Sequence, residues 1–366
     1  MNTANDHPQQ SRIRPLFLAF GFVCGLAALD QTSRASTTVC VHDAGELQTA
    51  LTAAQGSTSE TFINVAQGTY SPAATLTFYS LATNQGQLDV TGGYDSSCTA
   101  TTQNPALTLL DGGGLVPVLN LESWNGISVR YLTVENGHAA AATGGSGGLS
   151  VESITGGVIV HYNIIRNNYK GDYFGGIFAS IAPDNFSTTS TANIDVSGNL
   201  IVDNTAGADD AGGIVSNDGT GKLFMNNNTV SGNIVVANGV GLTGGVLASA
   251  LAGYVSNNIL YGDSANTCDL SIVGTTVLDS NDIQNTCGSA DASSSGNVNF
   301  DPQFVSATDL HVLATSVHTL GQGTLTPAGG LALATIDLEG HPRTANGLVD
   351  MGAYERDYIF NDGFDN

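Results

Sequence analysis

NIIRNN at residues 163–168, NLIVDN at 199–204, NTVSGN at 228–233 and NILYGD at 258–263 are four versions of one hexapeptide. Each opens on Asn, continues with mostly apolar residues and ends in a polar turn. Counting from the opening Asn, the residue three before it is Val160, Val196, Met225 or Val255, and the residue two after it is Ile165, Ile201, Val230 or Leu260. Both positions are apolar in every copy, yet they lie five apart, which in one continuous strand means opposite faces. A residue in the left-handed conformation resets the alternation by bending the chain, and Asn tolerates that conformation better than other non-Gly residues. The opening Asn is therefore read as a left-handed corner between two short strands, both turning their apolar side chains inward.

The pattern continues in ISVRYLTVEN, around Leu132, and TVLDSNDIQN, around Asn281. The anchors at 132, 163, 199, 228, 258 and 281 are spaced by 31, 36, 29, 30 and 23 residues. A Gly-Gly pair and an apolar residue precede four of them: Gly147-Gly148-Leu149, Gly175-Gly176-Ile177, Gly212-Gly213-Ile214 and Gly244-Gly245-Val246. Each pair is read as the start of a third strand in the same turn. Three strands per turn at this period describe an all-β chain, a single-stranded parallel β-helix solenoid. Equivalent Asn side chains then stack about 4.8 Å apart and can hydrogen-bond along a ladder. The Asn repeat is thus structural and not a binding site. A propeller would need antiparallel blades of roughly 40 residues, and a leucine-rich repeat would need a Leu-rich consensus that is absent.

Composition agrees with many short strands. Charged residues are only 11% of the 366-residue chain and Gly numbers 46, a mix that suits tight turns better than long helices. The formal net charge is −23, and the basic side chains beyond residue 35 are Arg130, Arg166, Lys170, Lys222, Arg343 and Arg356. Such a surface repels phosphate backbones, which argues against nucleic acid as a partner.

Residues 1–35 read as a signal peptide. Arg12 and Arg14 precede an apolar run over 16–29, and Ser33-Arg34-Ala35 offers small residues for cleavage. Bulky Val23 before Cys24 argues against lipidation there. Export to an oxidising compartment turns Cys40, Cys98, Cys268 and Cys287 into disulfide candidates. Sequence proximity favours Cys40–Cys98 and Cys268–Cys287 among the three connectivities. Residues 36–60 form an N-terminal cap in which Leu47, Ala50, Leu51 and Ala54 recur at helical spacing, predicting a short capping helix. The β-helix is expected over 61–300, with loops at 181–193 and 289–297. Closing turns are expected over 301–356, followed by an acidic tail at 357–366.

Three stretches carry a family resemblance. INVAQGTY at 63–70 with LDVTGGYDSSC at 88–98 and LTLLDGGG at 107–114 looks like the family's opening turns. NFDPQFV at 299–305 resembles its entry to the closing segment, and IDLEGHPRTANGLVDMGAYE at 336–355 is similar to its terminal signature. The chain resembles the secreted bacterial choice-of-anchor Q domain proteins, within the broad pectin-lyase-like architecture. The resemblance implies a right-handed parallel β-helix and export, without an established catalytic activity.

Relatives in that architecture cleave acidic polysaccharides, so their equipment is worth seeking. A calcium-dependent lyase needs Asp ligands and a nearby Arg or Lys as base. Asp203, Asp209 and Asp210 are the candidate calcium ligands, and Arg166, Lys170, Asp209 and Asp210 the candidate catalytic groups. Against this stands a solvated acidic loop beside two surface cations. Asp337, Arg343, Asp350, Tyr354 and Glu355 of the terminal signature read as structural, an Arg paired with acidic groups. Tyr169, Tyr173 and Phe174 are the best aromatic cluster for stacking sugars. The reading is an exported, non-catalytic, monomeric β-helix with no membrane span in the mature chain. It presents an elongated surface for adhesion or glycan binding. The alternative is a polysaccharide lyase or hydrolase on the same face, with calcium as the cofactor a lyase would require.

Overall fold

The computed structural model describes residues 35–356, except 142–144, 183–189, 209, 238–241, 264–267 and 345. All of the 1–35 signal-peptide reading but Ala35, and the tail at 357–366, lie outside the described residues. What is described is a parallel β-helix.

One coil runs through the strands Val158–His161, Ile164–Arg166, Tyr169–Lys170 and Ile177–Ile181. The next repeats it as Ile194–Ser197, Leu200–Val202, Thr205–Ala206 and Gly213–Asn217. Every strand pairs in parallel with its equivalent one coil on: Val160 with Val196, Ile165 with Ile201, Lys170 with Ala206, Ala179 with Val215. Each coil thus has four strands where the sequence suggested three, because the two-residue strand Tyr169–Lys170 and its equivalents are too short to show a period. The strands form parallel sheets of 15, 8 and 4 members. The largest is two faces of the solenoid joined by strand Thr243–Ser256, whose first half pairs with Gly213–Asn217 and second half with Leu223–Asn226.

Alternation explains the core. Val158, Val160, Ile165, Ile177, Ala179 and Ile181 point inward and are fully buried, as are their equivalents in neighbouring coils. The Gly-Gly pairs are required by close approach. A Cβ on Gly148 would lie 2.7 Å from the carbonyl oxygen of Gly176, and one on Gly176 would lie 2.6 Å from that of Gly212. A side chain there would push successive coils apart.

The opening Asn residues form the expected ladder. The Asn163 amide donates to Asn199 Oδ1 (3.1 Å), Asn199 to Asn228 (3.0 Å), Asn228 to Asn258 (2.9 Å), Asn258 to Asn281 (2.8 Å) and Asn281 to Asn297 (2.8 Å). Residues 289–297, read as a loop, therefore supply the ladder's last rung. The ladder Asn residues do not take the left-handed conformation. The residue before each one does: Tyr162, Gly198, Asn227, Asn257, Ser280 and Gly296 all have φ between 52° and 69°, as does Tyr131 before Leu132. The bend is made one position early, and this is what turns the next amide inward. Tyr131 and Tyr162 stack at 5.2 Å on the outside of this corner. Gly198 ends the stack, since a Cβ there would meet the Tyr162 ring at 2.7 Å.

A second ladder occupies the next corner. Asn168 donates to Asn204 (3.0 Å), Asn204 to Asn233 (3.0 Å) and Asn233 to Asp263 Oδ1 (2.8 Å). These are the last residues of the four opening hexapeptides.

At the N-terminal end, helix Ala44–Ala54 closes the core with Leu47, Ala50, Leu51 and Ala54 buried, as expected. Asp43 caps it by accepting from Glu46 N at 2.8 Å. Both disulfides have the expected pairing, Cys40–Cys98 and Cys268–Cys287. Among the described residues no helix is long and apolar enough to cross a membrane.

Residues 301–356, expected as closing turns, add no strand among the described residues. They return along the outside of the solenoid as a strap. Leu338 and Ala353 pack on Tyr131, Tyr162, Leu200 and Val202. Asn227 donates to Asp350 O at 3.2 Å, and Asn257 donates to Thr324 O at 2.9 Å. Within NN pairs 227–228 and 257–258, the first Asn therefore holds the strap and the second holds the ladder. The strap's own knot is Arg343, which is fully buried and donates to the carbonyls of Gly352 (3.0 Å) and Ala353 (2.8 Å). Its nearest carboxylate contact is Glu355 at 4.0 Å. Asp337 accepts from Glu355 N at 2.9 Å, and Tyr354 stacks on His311 at 3.9 Å.

Candidate functional site

The aromatic candidates lie where the two-residue strands turn into the Gly-Gly strands. Phe174 is left-handed (φ 63°), a conformation that costs a non-Gly residue roughly 1–2 kcal/mol. Its ring meets Tyr173 at 5.8 Å on one side and stacks on Phe178 at 5.1 Å on the other. Tyr173 is half exposed. The result is a three-ring strip on the outer face of strand Ile177–Ile181. Tyr169 is not part of the strip and stacks on His138 of the preceding coil at 4.8 Å.

Register puts two carboxylates beside the strip. Glu152 is paired in register with Glu122 on one side and Ser180 on the other. Both glutamates alternate outward between buried neighbours. Partial burial pushes the Glu152 carboxyl up to about 7, with Glu122 and then Asp218 adding to it. Burial raises Glu122 as well. Two carboxylates in register on adjacent strands disfavour double ionisation. Sequence reading missed this pair, although LNLES at 119–123 and LSVES at 149–153 carry the same Glu in the same frame.

The cations and acids of the lyase reading are divided between two corners. Arg166 lies on the face after the first Asn ladder and reaches back to Glu135 of the preceding coil, with its Nε 2.7 Å and its Nη2 2.6 Å from one carboxylate oxygen. Asp203 is a left-handed corner residue (φ 54°). It shares with Arg166 a cavity of about 240 Å³, also lined by Asn167, Ser231, Thr308 and Leu310, which the strap roofs. Burial raises the Asp203 pKa, and Arg166 partly offsets that. Lys170 points inward at the next strand, nearly fully buried, with Asp172 at 2.8 Å. Asp210 (φ 55°) is a buried corner residue that does not line the Arg166 cavity. Asp209 lies outside the described residues. The structure thus brings Arg166 together with Asp203 and Lys170 with Asp172.

A calcium ion would need several of these oxygens to converge, but Asp203 and Asp210 sit at separate corners with a strand between them. The one compact group of metal-ligand types among the described residues is Cys40, His42 and Cys98, whose ligand atoms lie within 4.8 Å of one another. Its two sulfurs are joined as a disulfide, so neither is a thiolate ligand.

Comparison with known proteins adds no relative: no protein-family model, no curated protein and no solved structure matches this chain.

Proposed function

We propose that this chain is an exported glycan-binding β-helix protein of the choice-of-anchor Q type, holding its ligand along the face that carries Tyr173, Phe174 and Phe178. The observation behind this reading is the ring strip itself. Its centroid steps of 5.8 and 5.1 Å are comparable to the length of one pyranose unit, and sugar faces pack on exposed aromatic rings. Glu122 and Glu152 beside it supply acceptors for hydroxyl donors. A ligand rich in hydroxyls and poor in carboxylates fits this face, because the net charge of −23 disfavours polyanions.

The test is retention of the purified chain on an insoluble neutral glucan and on polygalacturonate. Tyr173→Ala and Phe178→Ala should each weaken retention on the glucan about tenfold, roughly 1.4 kcal/mol. Equal retention of both variants and the parent would sink the reading.

One observation favours a second reading. Paired carboxylates, one of them pushed up to about 7, resemble the acid and the nucleophile or base of a glycoside hydrolase. Glu152 would be the acid and Glu122 its partner. Release of reducing ends from the glucan, abolished in Glu152→Gln with binding kept, would establish hydrolysis over binding alone. The lyase alternative has less support, since Arg166 is already engaged by Glu135.

A further inference from the structure

The two disulfides sit in different chemical surroundings. Cys268–Cys287 ties two neighbouring strands of the last coils, and Cys268 is buried at 1% exposure. Cys40–Cys98 joins the first strand, Ser36–Val41, to a turn whose residues Ser96, Ser97, Thr99 and Ala100 are exposed. Both of its cysteines are partly accessible.

His42 stands directly beside the accessible pair. Its Nε2 is 3.5 Å from Cys40 Sγ and 2.9 Å from the carbonyl oxygen of Ser96. Its Nδ1 is 3.0 Å from Glu46 Oε2. Both ring nitrogens therefore face oxygen acceptors, and only the imidazolium carries a proton on each. The Ser96 carbonyl, then Glu46, raise the His42 pKa, and Asp43 acts in the same direction. Those two acids come from helix Ala44–Ala54 and its cap. The turn over 95–100 contributes the Ser96 carbonyl, while its Asp95 is engaged by Thr99 and Ser97. Tyr70, the other titratable group nearby, is turned away and donates to Val41 O. Among the described residues no histidine is bonded to either sulfur of Cys268–Cys287.

A cation against one sulfur of a disulfide stabilises that sulfur as a thiolate and makes it the better leaving group. We infer that Cys40–Cys98 is a thiol-exchange site, at which an incoming thiol is captured on Cys98 while Cys40 leaves as a thiolate beside His42. The incoming thiolate forms a new S–S bond to Cys98 Sγ. The Cys40–Cys98 bond breaks, and its electron pair departs on Cys40 Sγ, facing the Nε2–H of His42. A monothiol stops there as a mixed disulfide. With a dithiol, the second thiolate attacks the mixed disulfide at its own sulfur and expels Cys98. The dithiol is then oxidised to a disulfide, and the protein holds two reduced cysteines.

The experiment uses the full chain with two probes, glutathione as monothiol and dithiothreitol as dithiol, followed by acid quench, alkylation and peptide mass mapping. Cys40–Cys98 is expected to open at least about tenfold faster than Cys268–Cys287, with glutathione found on Cys98. His42→Gln should slow opening about tenfold at pH 6–7. The ratio of parent to variant should approach one at pH values where the parent's imidazole is neutral, and taking the ratio cancels the ionisation of the probe. Glu46→Gln keeps an acceptor for Nδ1 but removes the charge, and should slow opening less. A substitution that merely loosened the turn would speed opening, so the sign separates chemistry from unfolding. Glutathione on Cys40, earlier opening of Cys268–Cys287, or unchanged or faster opening in His42→Gln would each overturn the assignment.

Discussion

Asn233 donates its side-chain amide to Asp263 Oδ1 at 2.8 Å, and its backbone N–H reaches the same oxygen at 2.8 Å. Asp263 thus stands where the preceding three rungs carry Asn. Those amides each donate to a carbonyl one coil back, Val134, Ile165 or Ile201. Asp263 has an oxygen in place of that donor. Its Oδ2 is buried without a hydrogen-bond donor, and burial followed by the neighbouring Asp269 pushes its pKa well up. A carboxyl with a raised folded-state pKa stabilises the fold below its unfolded value, and that contribution is lost as pH rises through the folded value. Asp263→Asn should therefore stabilise the chain at pH 7–8 by on the order of 1–3 kcal/mol. It should do little near pH 4. Urea midpoints at the two pH values check this, and an equal shift at both would mean the acid is not carrying the difference.

Within the first ladder, Asn199 is a fully bonded inner rung. Its amide donates to Val160 O (2.8 Å) and Asn228 Oδ1 (3.0 Å), and its Oδ1 accepts from Asn163 N (2.9 Å). Asn199→Ala leaves several buried polar groups without partners, each costing about 1–3 kcal/mol. A loss of roughly 2–5 kcal/mol is expected. Thermal unfolding of Asn199→Ala within about 2 °C of the parent would contradict a ladder that stabilises the coil.

Strand corners were legible because they repeat. Val160 and Ile165 five residues apart, and the Gly pairs upstream, are enough to demand bent coils with close backbone approach. The second ladder was just as visible, in Asn168, Asn204, Asn233 and Asp263, but a polar residue before a turn is common enough to read as solvent-exposed. The path of residues 301–356 could not be read, because the strap binds by single contacts such as Asn257 to Thr324, 67 residues apart, which leave no period. The candidate site was half legible. Tyr173 and Phe174 are neighbours in sequence, whereas Phe178 and Glu152 join them only through strand register. Arg166 and Asp210 looked close because they are in successive coils, yet they emerge at different corners.

Arg343 makes the strap separable from the solenoid. Its guanidinium is sealed against the carbonyls of Gly352 and Ala353, and the core coils have their own buried cluster. Arg343→Ala should free residues 300–356 to limited proteolysis while the coils stay protected. Glu355 adds a pH dependence, since burial, then Asp350, push its carboxyl up to about 8. Its raised folded-state pKa means that its contribution is full in acid and lost as pH rises through about 8. Cleavage of the parent strap should accelerate between pH 7 and 9, and Glu355→Gln should flatten that rise. A pH-independent cleavage rate in the parent would show that Glu355 does not govern the strap.

Glu152 gives the ligand face its own pH signature. Its carboxyl, at about 7 through burial, Glu122 and Asp218, is neutral in mild acid and ionised above neutrality. As pH climbs from 6 to 8, the face next to Tyr173 and Phe178 therefore gains negative charge. Retention of an acidic polysaccharide should fall over that interval through repulsion, and retention of a neutral glucan should change much less. Glu152→Gln removes the titration, so the acidic ligand should be held equally at both pH values. The same variant should be more stable than the parent at pH 8 and about equal at pH 5, following the sign for a raised carboxyl. Retention that falls with pH as steeply in Glu152→Gln as in the parent would move the titrating group elsewhere and separate the carboxylate pair from the ligand face.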